Sequence, residues 1–223
     1  MAKLFAISLL TTLLAWGPAQ VAAQGIRGTA TFTGNDHNGG SCSLSNYTLP
    51  AGISGTGIGP SNWAQAGKCG SCIQVTGPRG TTKVMIVDSC PSCLENRLNL
   101  FDDAFRQIAD PVDGIVDVTF DIASCGLDTP LIIRNKIGTS RYFFSMQVLN
   151  CNFPIVDLEV STDNSQTWES TVRQEYNYFE REDKSGFGKD EVMLRVSCSN
   201  GRRVIIPSVT MDSEKEITAP VNC

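Results

Sequence analysis

The chain has 223 residues, with 18 Lys and Arg against 23 Asp and Glu and a formal charge of −5. An acidic balance of this kind leaves no basic footprint for nucleic acid and repels anionic partners such as pectins or phospholipid headgroups at long range. Neutral polymers remain open as partners. Lys3, the apolar run from Leu4 to Trp16 and the small Ala22 and Ala23 ahead of Gln24 read as a secretory signal peptide over residues 1–23. Pro18 and Gln20 break that run short of the roughly 20 apolar residues a membrane span needs, and no later stretch is apolar enough to span a bilayer. A secreted, extracellular chain from Gln24 onward is therefore expected, with Asn46-Tyr47-Thr48 as a glycosylation sequon.

In chain order, short β-segments separated by Gly-rich turns follow: 26–32 (IRGTATF), 71–75 (SCIQV), 82–88 (TKVMIVD) and 115–122 (IVDVTFDI). The glycine-rich 55–60 (GTGIGP) is read as a loop, since no strand precedes it and Pro60 ends it. One helix is expected over 101–108, where Phe101, Phe105 and Ile108 share a face, with Asn99 or Asp102 as its cap. Cysteine and glycine density drops at 125–130 (CGLDTP), which places a domain boundary there. Beyond it, strand-like runs at 131–135, 143–148, 155–160, 192–196 and 203–207 recur with turn signals between them and no helical period. That pattern is an all-β sandwich of immunoglobulin-like size. Phe144 and Trp168 are expected in its core.

Nine cysteines stand at 42, 69, 72, 90, 93, 125, 151, 198 and 223. The pairs Cys69-x-x-Cys72 and Cys90-x-x-Cys93 have a spacing that reads as zinc-binding in a cytosolic protein. Behind a signal peptide the same thiols oxidise, so disulfides are expected and neither a metal nor another cofactor. Among Cys42, Cys69, Cys72, Cys90, Cys93 and Cys125 the pairing stays open. Cys151 and Cys198 are expected to bridge two strands of the second half, leaving Cys223 as the odd one. The sole histidine, His37, lies in a glycine loop and reads as solvent-exposed, which leaves no histidine-dependent nucleophile.

The stretches GTATFTGNDHNGG, VTGPRGTTKVMIVDSCPSC, LNLFDDAF, DGIVDVTF, GTSRYFFSMQVLN and EYNYF, in this order, resemble a microbial expansin-like protein over nearly all of the chain after residue 23. The resemblance implies an all-β chain: a six-stranded double-psi β-barrel over 24–127, related to a group of glycoside hydrolases, then an immunoglobulin-like carbohydrate-binding sandwich over 128–223. It also implies that the protein loosens plant cell walls without cutting glucan. The family's groove residues fall on Thr31, Thr33 and Asp88. Its acid in an L-D-L stretch falls on Asn99, within Leu98-Asn99-Leu100. Three rings of its aromatic platform fall on Tyr142 and Phe143, at the head of a strand, and on Tyr176, with Lys136 as a basic neighbour.

Glycosidic hydrolysis ordinarily needs two carboxyl groups, and an amide cannot shuttle a proton near neutral pH. Asp36, Glu95, Asp102 or Asp103 would have to partner Asp88, yet Asp102 and Asp103 read more simply as acids favouring a helix N-terminus. Asp88 itself reads either as a ligand for sugar hydroxyls or as a turn aspartate binding its own backbone. The expectation therefore leans away from an enzyme, toward a monomeric, secreted binder of cellulose or β-glucan, with xyloglucan or xylan as further candidates. A weak endoglucanase or lytic transglycosylase on the same barrel is the alternative, as is a wall-binding effector without loosening activity.

Overall fold

The computed structural model describes residues 25–223. The signal peptide expected at 1–23 lies outside them. Six strands close a barrel in the order β1-β5-β2-β4-β3-β6: β1 Ile26–Thr33, β2 Ser54–Ile58, β3 Cys72–Gly77, β4 Gly80–Ser89, β5 Arg97–Phe101 and β6 Val116–Ala123. β1–β5 and β2–β4 run parallel and the remaining pairs antiparallel. Alternation places Ala30, Leu98, Leu100, Val84, Ile86 and Val118 inside the barrel. A full turn of backbone hydrogen bonds thereby leaves no open sheet edge.

The stretch 55–60 is no loop. Gly55 to Ile58 belong to β2, between β5 and β4. A Cβ on Gly55 would stand 2.5 Å from the Phe101 ring, so glycine here makes room for an aromatic packed across the strand. A four-residue helix, α1 (Pro60–Trp63), follows it, and α2 spans Asp102–Ile108. Neither Asn99 nor Asp102 caps α2: Phe101 holds the N-cap position without a side-chain bond, and Asn99 lies within β5. Asp102 and Asp103 do open its first turn, Asp102 paired with Arg106 at 2.7 Å and Asp103 Oδ1 accepting from Ala104 N at 2.9 Å.

The second half is a two-sheet sandwich. One sheet has the order β10-β9-β13-β14, from Glu169–Ser170, Ile155–Ser161, Glu191–Cys198 and Arg203–Thr210. The other is β11-β12-β8-β7-β15, from Val172–Arg173, Phe179–Glu180, Ser145–Leu149, Ile132–Asn135 and Glu216–Thr218. Pro207, which cannot donate to a ladder, falls on the edge strand β14 where the β13 register shifts. Phe144 is fully buried, edge-on to Phe187. Trp168 is not a core residue; it is half-buried under the Arg195 guanidinium, 4.5 Å from its ring, because the two-residue strand after it lies at a sheet edge.

Four disulfides tie the chain: Cys42–Cys69, Cys72–Cys125, Cys90–Cys93 and Cys198–Cys223. The expected Cys151–Cys198 bridge is absent. Cys198 pairs with Cys223, and Cys151 is the free, buried thiol. Asn222 explains the exchange. Its Nδ2 donates to Thr129 O and Asn150 O, and its Oδ1 accepts from Asn152 N, which pins the C-terminal residue beside the end of β13.

Barrel and sandwich meet through buried polar groups. Cys42 O accepts from Gln147 Nε2 at 2.9 Å and from Asn177 Nδ2 at 3.2 Å, while Tyr47 OH donates to Asn150 Oδ1 at 3.0 Å. Cys151 Sγ donates to Gly70 O across the same junction. Directional bonds between groups that would be costly to leave unpaired fix the angle between the two halves.

Candidate functional site

Register brings four barrel strands into one row. Thr31 on β1 pairs with Asn99 on β5, Asn99 with Gly57 on β2, and Gly57 with Asp88 on β4. Because Ala30, Leu98 and Leu100 fill the interior, Thr31 and Asn99 project outward from the same barrel face. Thr31 Oγ1 stands 3.2 Å from Asn99 Oδ1 and donates toward it and Leu98 O. Gly57 leaves the floor between Asn99 and Asp88 without a side chain. Thr33 lies one pleat further along, opposite Phe101, exposed and outside the row.

Asp88 Oδ1 accepts from two backbone amides, Ser41 N at 2.6 Å and Ser89 N at 2.8 Å. The carboxylate therefore holds the 34–41 loop against the end of β4, and its second oxygen has no protein partner among the described residues. The loop comes so close that a Cβ on Gly40 would stand 2.8 Å from Val87 O. Below, the Ser41 and Ser89 hydroxyls share a 2.8 Å hydrogen bond. Asp36 closes its own turn by accepting from Asn38 N, and Glu95 is exposed on the far side of the Cys90–Cys93 bridge in sequence. His37 is not free in solvent. It is half-buried, and its Nε2 donates to Tyr47 O at 2.9 Å, which anchors the same loop.

The rings of the sandwich differ from expectation in their local setting. Tyr142 and Phe143 do not head a strand; β8 begins at Ser145. They occupy a tight turn closed by Phe143 N to Ser140 O at 3.1 Å and Ser140 N to Phe143 O at 2.9 Å. Strand alternation thus does not decide their facing, and Tyr142 is 78% exposed with Phe143 half-buried beside it. Gly186 supports this turn from behind, where any Cβ would meet Arg141 O at 2.2 Å and Tyr142 C at 2.6 Å.

Tyr176, 37% exposed, is held by a buried carboxylate. Its hydroxyl donates to Glu180 Oε1 at 2.7 Å, Ser145 Oγ donates to the same oxygen at 2.8 Å, and Lys184 Nζ donates to Oε2 at 2.8 Å. Lys136 Nζ lies 4.3 Å from the Tyr176 ring centroid and 3.7 Å from Glu180, so it braces the ring by charge and cation–π contact. Burial opposes the charge on Glu180, but the Lys184, Tyr176 and Ser145 hydrogen bonds outweigh it and hold the carboxyl below its ordinary 4.5. Burial, then Glu180, push Tyr176 up to about 12, so its hydroxyl stays a donor at any working pH.

A carboxylate whose folded pKa is depressed contributes stability that is present above its unfolded pKa and is lost as pH falls through the folded one. The thermal stability of wild type is therefore expected to fall below about pH 4.5, and that of the Glu180→Gln variant to fall less over that interval. Equal pH profiles for the two proteins would show that Glu180 does not carry this contribution.

No family model matches the chain. Expansin-YoaJ of Bacillus subtilis is 27% identical over 202 residues, covering 88% of this chain and 84% of that protein. The crystal structure of the expansin of Clavibacter michiganensis superimposes with a TM-score of 0.77 at 26% identity, covering 88% of this chain and 96% of that one. The chain is expansin-like. Expansin-like protein 7 of Dictyostelium discoideum adds 29% identity over 155 residues, 66% of this chain but 28% of that longer protein. An aspartate-to-asparagine mutant of the Clavibacter expansin, with the same superposition, is solved in complex with cellohexaose. Together these likenesses establish the fold as a double-psi barrel followed by an immunoglobulin-like sandwich.

Two contributors to the site carry no sequence motif. Gly57 lies in a stretch whose glycines and Pro60 signal a loop, and the Ser41–Ser89 hydroxyl pair is joined only by the fold. An alternation of small residues through 54–57 with Ile58 behind them was the only local sign of a strand.

Proposed function

We propose that this expansin-like protein binds a neutral β-glucan of the cellulose type outside the cell. In this reading it loosens wall polymers by displacing noncovalent contacts rather than by cutting chains. The barrel unit, 24–127, supplies a groove of hydroxyl and amide groups, and the sandwich unit, 128–223, supplies the rings Tyr142, Phe143 and Tyr176. The cellohexaose complex of the Clavibacter expansin supports the choice of ligand, and four disulfides fit an oxidising compartment.

The observation that carries the reading is the Thr31 Oγ1 to Asn99 Oδ1 contact. At the groove's centre, where hydrolysis would require a second carboxyl group, stands an amide whose oxygen faces a hydroxyl donor. Such a pair can match sugar hydroxyls in both donor and acceptor sense, and it has no proton to transfer. Asp88 spends one oxygen on backbone amides and keeps the other for a ligand.

The test is a pair of assays on one preparation. Wall strips under constant load should extend, and amorphous cellulose incubated alongside should release no reducing sugar above buffer. Sugar release at an enzyme-like rate overturns the proposal in favour of the glucanase or transglycosylase reading. Cellulose binding without extension leaves a wall-binding effector.

A further inference from the structure

Beside the row of groove residues, a cavity of about 340 Å³ opens between barrel and sandwich, a size within the range of small-ligand sites. Its walls are apolar, from Ile58, Pro60, Trp63 and Pro91, and Ser41 and Ser89 stand within it as hydroxyls. Two hydroxyl groups bonded only to each other use one of their two protons, so one donor and several lone pairs remain for a ligand. Glu175 is its single charged lining residue, and that carboxylate is engaged by Trp63 Nε1 at 2.9 Å. A neutral ligand with an apolar face and hydroxylated edges fits such walls.

The cavity is continuous with both halves of the site. Ser89 follows Asp88 in the groove row, and Glu175 precedes Tyr176 of the ring cluster. Trp63 ends α1, and the three residues after it, Ala64, Gln65 and Ala66, all have left-handed backbone, with φ of 50°, 52° and 59°. Non-glycine residues in this conformation cost roughly 1–2 kcal/mol each. The run is retained because Gly67 N and Cys69 N close turns onto Ala64 O and Ala66 O, and Cys69 is bridged to Cys42. No other aromatic ring and no cation stacks on the indole among the described residues. Backbone strain of this kind persists where surrounding structure over-determines it and often marks a site of function.

We propose that this cavity is a stacking subsite for one pyranose ring of the bound glucan, with the C–H face of the sugar on Trp63 and its hydroxyls on Ser41 and Ser89. The subsite joins the ring cluster of the sandwich to the polar row of the barrel. The inference rests on the glucan-binding reading above. The pyranose is either a main-chain unit or a branch unit, the stacking chemistry being the same for both.

The full-length protein labelled with 5-fluorotryptophan gives one ¹⁹F resonance per tryptophan, and the resonance missing from Trp63→Phe identifies Trp63. That resonance should shift on titration with cellohexaose if a main-chain unit enters, or only with a xylosylated cello-oligosaccharide if a branch unit does. Trp63→Ala should weaken the responding ligand about fivefold, in the range of one aromatic contact. Trp63→Phe, which keeps a ring but loses the bond to Glu175, and Glu175→Ala should both stay within twofold of wild type. If Glu175→Ala weakens binding as much as Trp63→Ala, Trp63 is only a latch between the halves and the subsite is refuted. It is equally refuted if Tyr142→Ala loses affinity while Trp63→Ala and the Trp63 resonance are unaffected, and in that case the glucan-binding reading survives. Absence of binding by wild type to either oligosaccharide and to insoluble cellulose sinks both.

Discussion

Replacing Cys72 and Cys125 together by alanine is expected to lower the unfolding free energy by about 4 kcal/mol, the chain entropy returned to an unfolded loop of 53 residues. Replacing Cys90 and Cys93, only 3 apart, should cost about 1.5 kcal/mol by the same relation. Urea midpoints of the two double variants measure the difference, and equal losses would show that loop length does not set it. Position reinforces the expected order. Cys72 opens β3 opposite Ala123 at the end of β6, and Cys125 begins the passage into the sandwich, so this bridge locks barrel closure to the exit of the chain. Cys151 supplies an internal control: burial pushes its thiol up to about 11, so a thiol reagent should find no reactive group in the native protein and one after unfolding.

The long-range consequences of this framework were only partly legible in the sequence. Strand alternation located β1, β3, β4 and β6, because each carries β-branched or aromatic residues at period two. It missed β2, where Ser54, Gly55 and Gly57 carry low strand preference. Packing overrides preference there: Gly55 yields to the Phe101 ring, and β2 pairs with β4 along its length and with β5 over Thr56 to Ile58. The cysteine assignment failed for a related reason. Cys151 and Cys198 both flank strand-like runs, but the partner of Cys198 arrives from a tail whose position depends on Asn222, a residue no periodicity can single out.

Site legibility divides in the same way. Thr31, Asp88 and Asn99 were identifiable from motifs, and the barrel's register brings all three into one row. The setting of the rings was not. Tyr142 gains its exposure from a turn that Gly186 and Gly188 buttress, through a close approach to Arg141 O and a 2.8 Å bond from Gly188 N, and that contact joins segments more than forty residues apart. The resemblance gives Lys136 only as a basic neighbour of the rings; in the structure its charge lies over Tyr176 and beside Glu180. Its effect on binding is therefore expected to pass through the orientation of a ring.

Gly57 provides the sharpest separation of groove from scaffold. Gly28 and Gly186 are demanded by the backbone, since a Cβ on them would stand 1.9 Å from Asn96 O or 2.2 Å from Arg141 O. At Gly57 a Cβ would meet Asn99 Cβ, Ser89 O and Cys90 Cβ at 3.7, 3.7 and 3.8 Å, ordinary contacts, and its φ is not left-handed. Glycine within a strand sacrifices roughly 0.5–1 kcal/mol to the freedom of the unfolded chain. Gly57→Ala is therefore expected to leave stability unchanged or raise it by up to about 1 kcal/mol. Gly57→Leu should preserve the fold, yet extend a branched side chain across the floor between Asn99 and Asp88. Depletion assays on cellulose should then show more than a tenfold loss of affinity for the leucine variant and little change for alanine. The physical reason is volume: a ligand lying along Thr31, Asn99 and Asp88 must cross the one position in that row that has no side chain. Full binding by a folded Gly57→Leu protein would mean that the glucan does not pass over this floor, and the polar row would lose its assigned role.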